Sequence, residues 1–106
     1  MAKYLIVGSY STEGAKGLLR EGGTARRSNL AKLIEGLGGR LESFYFAFGS
    51  DDAYAVVDLP NNISAASLGL AVGASGAATI RTVVLLTPED IDEAASLGTE
   101  YRPPGQ

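Results

Sequence analysis

The stretch Glu42–Pro60, ESFYFAFGSDDAYAVVDLP, decides the fold of this chain. Aromatic side chains crowd its first half, a Gly-Ser-Asp-Asp break follows at 49–52, and a second apolar run ends at Leu59. Two runs rich in aromatic and β-branched residues on either side of such a break predict a β-hairpin. Neither run is polar on one side, although a small antiparallel sheet with one face in water normally alternates apolar and polar residues.

The rest of the chain surrounds this hairpin with helices and two further strands. Strands are predicted at 4–10, 40–48, 53–59 and 79–87, and apolar residues recur at helical spacing between them and after the last one. The order β-α-β-β-α-β-α predicts an α+β, ferredoxin-like βαββαβ fold with a C-terminal helix. Right-handed crossovers then place both crossover helices on one face of a four-stranded antiparallel sheet. Residues 1–106 are interpreted as one domain with an extended tail at 98–106.

Local signals indicate where the helices begin and end. The predicted N-caps are Ser11 or Thr12 for the first helix, Asn61 or Asn62 for the second crossover and Thr87 for the last helix. Gly22-Gly23 interrupts the first helical region, because glycine destabilises a helix interior by about 1 kcal/mol relative to alanine. That region is therefore either one long kinked helix or two short helices end to end.

Side-chain alternation explains why the hairpin has no polar side. The two strands divide into Phe44, Phe46 and Phe48 against Leu41, Tyr45 and Ala47, and Tyr54 and Val56 against Ala55, Val57 and Leu59. The first and last strands are also apolar on both sides. Helices cover only one face of the sheet, and a soluble monomer rarely exposes an apolar patch larger than about a few hundred Å².

The uncovered face predicts that the chain pairs with a second copy of itself. Two sheets stacked about a twofold axis form a dimeric α/β barrel, and a higher homo-oligomer satisfies the same requirement. The alternative is a monomer whose tail and C-terminal helix wrap the sheet. The candidates for the core or the dimer interface are Phe44, Phe46, Phe48, Val56, Val84 and Leu86. The sequence leaves open which alternating set faces the helices.

Four segments carry a recognisable pattern: YLIVGSY at 4–10, GGRLESFYFAFG at 38–49, VVDLPNN at 56–62 and RTVVLLTPEDID at 81–92. With these segments the chain resembles the GYD-domain family of short bacterial proteins. The resemblance implies a ferredoxin-like fold of the dimeric α/β-barrel kind and no particular reaction. The family is named after a Gly-x-Tyr-Asp turn, which here reads GSDD at 49–52, so Asp51 replaces the tyrosine. If that tyrosine has a chemical role, this chain lacks it.

The composition excludes several kinds of site. The chain has no histidine and no cysteine, which excludes a Ser-His catalytic pair, a zinc site, a His-ligated haem and a disulfide. No phosphate-binding glycine motif is present, so no cofactor is expected. The net charge of −3, with scattered Lys and Arg, indicates no nucleic acid partner. No apolar run suits a signal peptide or a membrane span, so we expect no membrane partner and a cytoplasmic location.

Adjacent charged residues have mostly structural interpretations. Asp51 and Asp52 suit a turn better than an acid/base pair, because neighbours on an extended chain point to opposite sides and Asp bonds local backbone N–H groups. Arg26–Arg27 can hold an anion, but a solvated helix face is the preferred interpretation.

Arg81 is a lone charge on an apolar strand. Burying it unpaired is costly, so it forms a salt bridge, with Asp58 or Glu42 as examples, or blunts a sheet edge. Alternatively it lines a cleft between the sheet and the helices, where a tyrosine donates a proton or hydrogen bond and Arg81 stabilises an oxyanion. The only base near such a cleft is Asp52 or Asp58. The candidate cleft residues are Tyr10, Tyr45, Asp52 and Arg81.

Two functions are open from the sequence. The first is a homo-oligomeric module that binds a small organic molecule, apolar or aromatic, or that serves in assembly. The second is a cofactor-independent enzyme, of the isomerase or monooxygenase type, acting on a small aromatic or polyketide-like substrate in the cleft. Small residues at 63–75 predict close helix packing with little room for a substrate, which favours the first function.

Overall fold

The structure, a computed structural model, describes residues 1–106. Its elements in chain order are β1 (Ala2–Tyr10), α1 (Thr12–Glu21), α2 (Gly23–Gly36), β2 (Arg40–Phe46), β3 (Ala53–Leu59), α3 (Asn62–Ser75), β4 (Ala78–Leu85) and α4 (Pro88–Ser96). This is the predicted order, with the first helical region divided into two helices.

The four strands form one antiparallel sheet in the order β2-β3-β1-β4. β3 and β1 are central, and β2 and β4 are the edges. α2 packs against β2, and α3 packs against β4 and β3. Both helices contribute to a core on the same face of the sheet. The predicted ferredoxin-like α+β fold is therefore confirmed.

Side-chain caps fix the starts of the helices. Ser11, Asn61 and Thr87 each accept a hydrogen bond from a backbone N–H in the first turn of α1, α3 and α4. Gly22 has a φ of 86° and ends α1. Because a left-handed residue of this kind cannot continue a helix, the Gly22-Gly23 break produces two helices rather than one kinked helix.

The helix-covered face of the sheet holds the core. Its buried residues are Tyr4, Ile6, Ala55, Val57 and Leu59 from the sheet, Ile34 from α2, and Ala65 and Leu68 from α3. The phenol of Tyr4 is buried but donates a 2.6 Å hydrogen bond to the Asn62 side chain, which satisfies its polar atom. The structure thus decides that the set containing Tyr4 and Ile6 faces the helices.

A β-bulge in β2 changes the predicted alternation. Leu41 pairs with Val57 and Ser43 pairs with Val56, so the register shifts between them. Leu41 and Phe44 consequently both pack against the core. The prediction that they lie on opposite faces is wrong, because an extra residue in one strand inverts the side-chain parity beyond it.

The aromatic run contributes less to the core than its alternation suggests. Phe44 packs against the core, and its ring centroid lies 5.0 Å from that of Phe46. Phe46 is half-exposed, and Phe48 is fully exposed because β2 ends at Phe46. Phe48 therefore lies outside the core of the single chain, and the alternative that it belongs to a dimer interface stays a prediction. Phe46 instead covers the start of α2 at Gly23.

The other side of the sheet, here called the bare face, is covered by no element. Its central apolar residues are Leu5, Val7, Tyr54, Val56, Val83 and Leu85. Val56, a predicted core or interface residue, lies here. Val84 belongs to the opposite parity, and Leu86 follows the end of β4; both are exposed.

Helix α4 and the tail extend away from the sheet. Every residue from 86 to 106 is exposed, and α4 packs extensively against no other element. The radius of gyration is 16.9 Å, whereas a compact chain of this length has about 13 Å. The structure therefore does not show the monomer alternative, in which these segments wrap the sheet.

The helices are short for a membrane protein. The longest, α2 and α3, have 14 residues each, whereas a span needs about 20 apolar residues. No helix of the chain has both the length and the apolar character to cross a membrane. The cytoplasmic location stays a prediction.

Candidate functional site

A cavity of about 300 Å³ lies between the sheet and helices α2 and α3. Its floor is the helix-covered face of the strands, and its lining is almost entirely apolar. The larger side chains around it are Ile6, Leu30, Leu33, Phe44, Leu68 and Ile80. The volume is at the lower end of the range of about 300–1,000 Å³ that small-molecule sites occupy.

Small residues create this space. Gly8 and Ala55 lie on the central strands, and Ala71 lies on α3 above them. Because none of these side chains extends far from the backbone, the surrounding larger residues enclose a hollow. The prediction that the small residues of α3 leave little room is wrong, since Gly8 and Ala55 on the facing strands are small as well.

Tyr10 lies at one end of the cavity, where β1 ends. Its backbone N–H donates a 2.8 Å hydrogen bond to Oδ2 of Asp52. The next residue, Ser11, donates its backbone N–H to the carbonyl of Ala77 at 2.9 Å and its hydroxyl to the carbonyl of Gly76 at 2.7 Å. These bonds hold the main chain on both sides of Tyr10. The phenol oxygen makes no hydrogen bond within the chain, so it is free to meet a ligand.

Arg26 is the only charged residue that lines the cavity. It lies in the first turns of α2, after the break at Gly22 has redirected the chain. Its Nη1 is 3.7 Å from Oε2 of Glu21, and Glu21 also accepts a 2.5 Å hydrogen bond from the Asn29 amide. The guanidinium makes no hydrogen bond of its own, so its N–H donors remain available.

A second and more open groove of about 400 Å³ adjoins the cavity. The two spaces share Tyr10, Arg26 and Ala77, which we call the entrance. The groove runs along α1, and its other charged residues are Glu13, Arg20 and Glu21. The apolar cavity therefore meets a polar surface at the entrance.

The phenol of Tyr10 is held in its neutral form. Burial raises the pKa of Tyr10, the Arg26 guanidinium lowers that pKa by a smaller amount, and the Asp52 and Glu21 carboxylates add to the rise. A neutral phenol is a hydrogen-bond donor and not a base at physiological pH. The entrance thus offers one neutral donor beside one cation.

Ultraviolet titration of tyrosinate tests this environment. In the difference between the wild-type and Tyr10→Phe curves, we expect ionisation above the ordinary tyrosine pKa of about 10, and Arg26→Ala is expected to raise the pKa of Tyr10 further. Because the folded-state pKa is raised, the stability linked to this group is present below the unfolded pKa and is lost as the pH rises through the folded value. Tyr101→Phe removes an exposed phenol and is the control. A Tyr10 ionisation at or below the ordinary tyrosine pKa of about 10 contradicts the burial argument.

The two adjacent aspartates act in the β2–β3 connection. Asp52 accepts from Tyr10 through its side chain and donates its backbone N–H to the carbonyl of Gly8 at 2.8 Å. Asp51 turns the other way, where its carboxylate accepts a 3.2 Å hydrogen bond from the Ser9 hydroxyl. The structure thus agrees with the turn interpretation, and neither carboxylate lines the cavity.

Arg81 and Tyr45 do not reach the cavity. Arg81 pairs in register with Val7 of β1, which places it on the bare face. It forms an ion pair with Asp51 at 3.4 Å, so its partner is neither Asp58 nor Glu42. Tyr45 is exposed on the same bare face. The expectation that Arg81 and Tyr45 line a cleft under the helices is wrong because both have the parity of the opposite face.

The other end of the bare face carries a network of ion pairs. Lys3 Nζ lies 2.6 Å from Glu42 and 3.0 Å from Asp58, and Asp58 is also 3.1 Å from Arg40. The hydrogen bond from Lys3 lowers the pKa of Asp58, and the hydrogen bond to Glu42 raises the pKa of Lys3. Asp58 is therefore a structural carboxylate far from the cavity. No group of three acidic side chains converges to hold a metal ion.

Of the predicted cleft residues, the structure brings only Tyr10 to the cavity. Asp52 does not line the cavity, and its carboxylate accepts a hydrogen bond from the backbone N–H of Tyr10. The residue that sequence reasoning undervalued is Arg26, which was interpreted as part of a solvated helix face. The Gly22-Gly23 break is the signal that could have found it. Such a break redirects a helix, so the first turn after it can face inward.

The comparison with protein families finds a match over most of the chain. The GYD domain model matches residues 4–95. The chain belongs to the GYD domain family. No curated protein and no solved structure matches it.

The turn after which the GYD domain family is named has a structural role in this member. Its last residue, Asp52, closes the hairpin by accepting the Ala47 N–H at 2.9 Å and ties it to the end of β1 through Tyr10. The residue at the tyrosine position, Asp51, bridges Ser9 and Arg81 on the bare face. The GYD turn therefore holds the end of β1 in place by hydrogen bonds, but none of its residues lines the cavity.

Proposed function

We propose that this GYD domain protein binds a small apolar or aromatic molecule in the cavity between its sheet and helices, and that it does so as a homo-oligomer. The cavity itself carries the proposal. It is a partly open, apolar space of about 300 Å³ between the sheet and the helices, a size within the range of small-molecule sites. Its apolar walls offer water few hydrogen-bond partners. An apolar cavity of about half this volume is known to bind benzene, so this space is large enough for a small apolar molecule.

The homo-oligomer rests on the bare face. Apolar side chains fill its centre, and neither α4 nor the tail covers them. Burying apolar surface yields about 25 cal/mol per Å², and a second copy brings an identical apolar centre. The charges at its two ends are balanced, with cations Lys3, Arg40 and Arg81 facing anions Glu42, Asp51 and Asp58. Two copies stacked face to face therefore meet no net electrostatic repulsion.

Helix α4 gives a second reason for self-association. It has nine residues, all exposed, and it packs extensively against no other element, whereas isolated helices shorter than about 12–15 residues are marginal in water. A capping box at Thr87 helps the helix to start but does not replace packing. Ile91 on its surface is also exposed. We propose that the second copy supports α4 as well as the sheet.

A cofactor-independent enzyme is the second candidate, because a neutral tyrosine and an arginine meet at the entrance. These two groups suit the stabilisation of a developing oxyanion. Proton abstraction also needs a base, however, and no carboxylate lines the cavity. Asp52 is engaged with the main chain, and Asp58 lies on the other face of the sheet. Binding is therefore the function that the geometry supports better.

Filling the cavity tests the binding function. Ala55 is buried and lines the cavity, so Ala55→Leu places extra side-chain volume in it. We expect this variant to lose binding of neutral aromatic and aliphatic alcohols, measured as the ligand-induced rise in Tm of the full chain. Its own stability should rise by roughly 0.5–2 kcal/mol, as cavity-filling substitutions commonly give.

The matched control is Ala66→Leu, on the exposed side of α3, which should keep the wild-type ligand response. A wild-type protein whose Tm responds to none of these alcohols contradicts the binding function. Equal responses from Ala55→Leu and the wild type would show that ligands bind elsewhere.

A further inference from the structure

We infer that the ligand of this cavity is an amphipathic monocarboxylate, with its apolar body between the sheet and the helices and its carboxylate at Tyr10 and Arg26. This ligand class rests on the apolar binding function proposed above and adds the chemistry of the head group. It makes the entrance an anion-recognition site of a kind that neither the fold nor the family match assigns.

The distribution of polar groups in the cavity is the first reason. The lining is apolar except at one end, where Tyr10 and Arg26 lie together. The one other polar side chain, Ser75, is already bonded, because its hydroxyl donates to the carbonyl of Val72 at 2.6 Å and accepts from the N–H of Ala77 at 3.1 Å. A ligand therefore finds unbonded side-chain donors only at the entrance. This asymmetry matches a molecule that is apolar along its body and polar at one end.

The state of the two entrance groups is the second reason. The Tyr10 phenol has no partner in the chain, and Arg26 makes a single ion pair at 3.7 Å, longer than a hydrogen bond. The neutral Tyr10 phenol and the charged Arg26 guanidinium both donate hydrogen bonds. They therefore suit a ligand head group that only accepts them. The planar guanidinium matches the geometry of a carboxylate with two parallel hydrogen bonds.

The charges around the entrance limit the head to one anion. Arg26 is the only charge on the cavity wall. In the adjoining groove, the Glu21 carboxylate lies 3.7 Å from Arg26, and the Glu13 carboxylate pairs with Lys16 at 3.6 Å. Because the Glu21 carboxylate already lies beside Arg26, each further negative charge on the head group adds repulsion, so the entrance suits a monoanion better than a dianion or a phosphate. The body must be small, since the cavity holds about 300 Å³.

Pairs of an acid and an alcohol with the same apolar body distinguish the contribution of the head group to binding from that of the body. Calorimetric titration of the full chain compares cinnamate with cinnamyl alcohol and octanoate with octanol. We expect at least one acid to bind the wild type about tenfold or more tightly than its alcohol, since a hydrogen bond to a charged group contributes more than a neutral one. Raising the salt concentration should weaken the binding of the acid and leave the binding of the alcohol unchanged.

Variants at neighbouring arginines provide the control within the chain. Arg26→Gln is expected to weaken the binding of the acid by about tenfold or more and to change the affinity for the alcohol by less than about twofold. Arg27→Gln removes an exposed charge next to it and should leave both ligands unchanged. Tyr10→Phe should weaken the binding of the acid and not that of the alcohol, by a smaller factor than Arg26→Gln. Circular dichroism and Tm establish that each variant is folded.

The outcomes distinguish the head group from the binding function. If acids and alcohols bind the wild type equally, the carboxylate head is wrong while the apolar binding function stands. Equal losses of acid binding in Arg26→Gln and Arg27→Gln would indicate nonspecific charge attraction and would also overturn the inference. If neither acids nor alcohols bind, the binding function itself fails. Because the comparison of acids with alcohols uses the wild type, it decides the question even if Arg26→Gln does not fold.

Discussion

Val56→Arg is expected to convert the proposed homo-oligomer into single chains. Val56 lies on the bare face between Leu5 of β1 and Ser43 of β2. In a stack of two sheets, the new guanidinium would be buried twice without a partner. An unpaired buried charge costs roughly 3–5 kcal/mol, so the dissociation constant should rise by about a hundredfold or more. Light scattering at low micromolar concentration measures the change in mass.

The control for this prediction places the same side chain elsewhere. Leu19 is 87% exposed on α1, and Leu19→Arg should leave the mass unchanged. Tyr45→Arg, at an exposed position of the bare face, tests the same surface with less risk to the folding of the single chain. The homo-oligomer is contradicted if the wild type already has the mass of one chain, is well folded, and binds no dye for apolar surfaces.

Gly14→Ala and Gly17→Ala should change stability in opposite directions, although both glycines lie in α1. A Cβ on Gly14 would lie 1.9 Å from the carbonyl oxygen of Ala77, which is backbone and cannot move aside cheaply. A Cβ on Gly17 would meet only the far end of Arg20, at 4.0 Å. Gly14→Ala should therefore destabilise the fold by roughly 1–3 kcal/mol, as overpacking does. Gly17→Ala should stabilise it by about 0.5–1 kcal/mol, because alanine loses less backbone entropy.

Denaturant unfolding of the three proteins at one concentration measures this pair of effects. The reason for the difference is the docking of α1, whose N-cap Ser11 bonds to Gly76 and Ala77 in the α3–β4 connection. Equal or greater stability of Gly14→Ala relative to the wild type would show that this docking is looser than described. Gly14→Ala should also weaken ligand binding, because the same Cβ would lie 3.2 Å from the Tyr10 ring.

Features that depend on neighbours in the sequence were predictable. The caps at Asn61 and Thr87 follow from polar side chains placed before apolar helical patterns. The hairpin follows from two apolar runs around a glycine-containing break, and the number and order of the strands from similar patterns. Each of these signals acts over a few residues, so a single sequence contains it in full.

Features that depend on residues distant in the sequence were not predictable. The bulge near Ser43 arises from how β2 pairs with β3, and it reversed the expected side of Leu41. Arg81 was given the wrong partners, because its ion pair needs the loop at Asp51 to reach across the sheet. The alanines of α3 allow either close packing or a hollow, and the side chains that face them decide which occurs.

The sequence by itself determined the order of the elements, the absence of histidine and cysteine chemistry, and the apolar character of both sheet faces. These properties are local or compositional, so they hold for any arrangement of the chain. Only the tertiary structure decided which face the helices cover, and that a cavity opens beneath them with Tyr10 and Arg26 at its entrance. The physical reason is that a cavity is a property of the distance between facing elements, and that distance is set by every side chain around it.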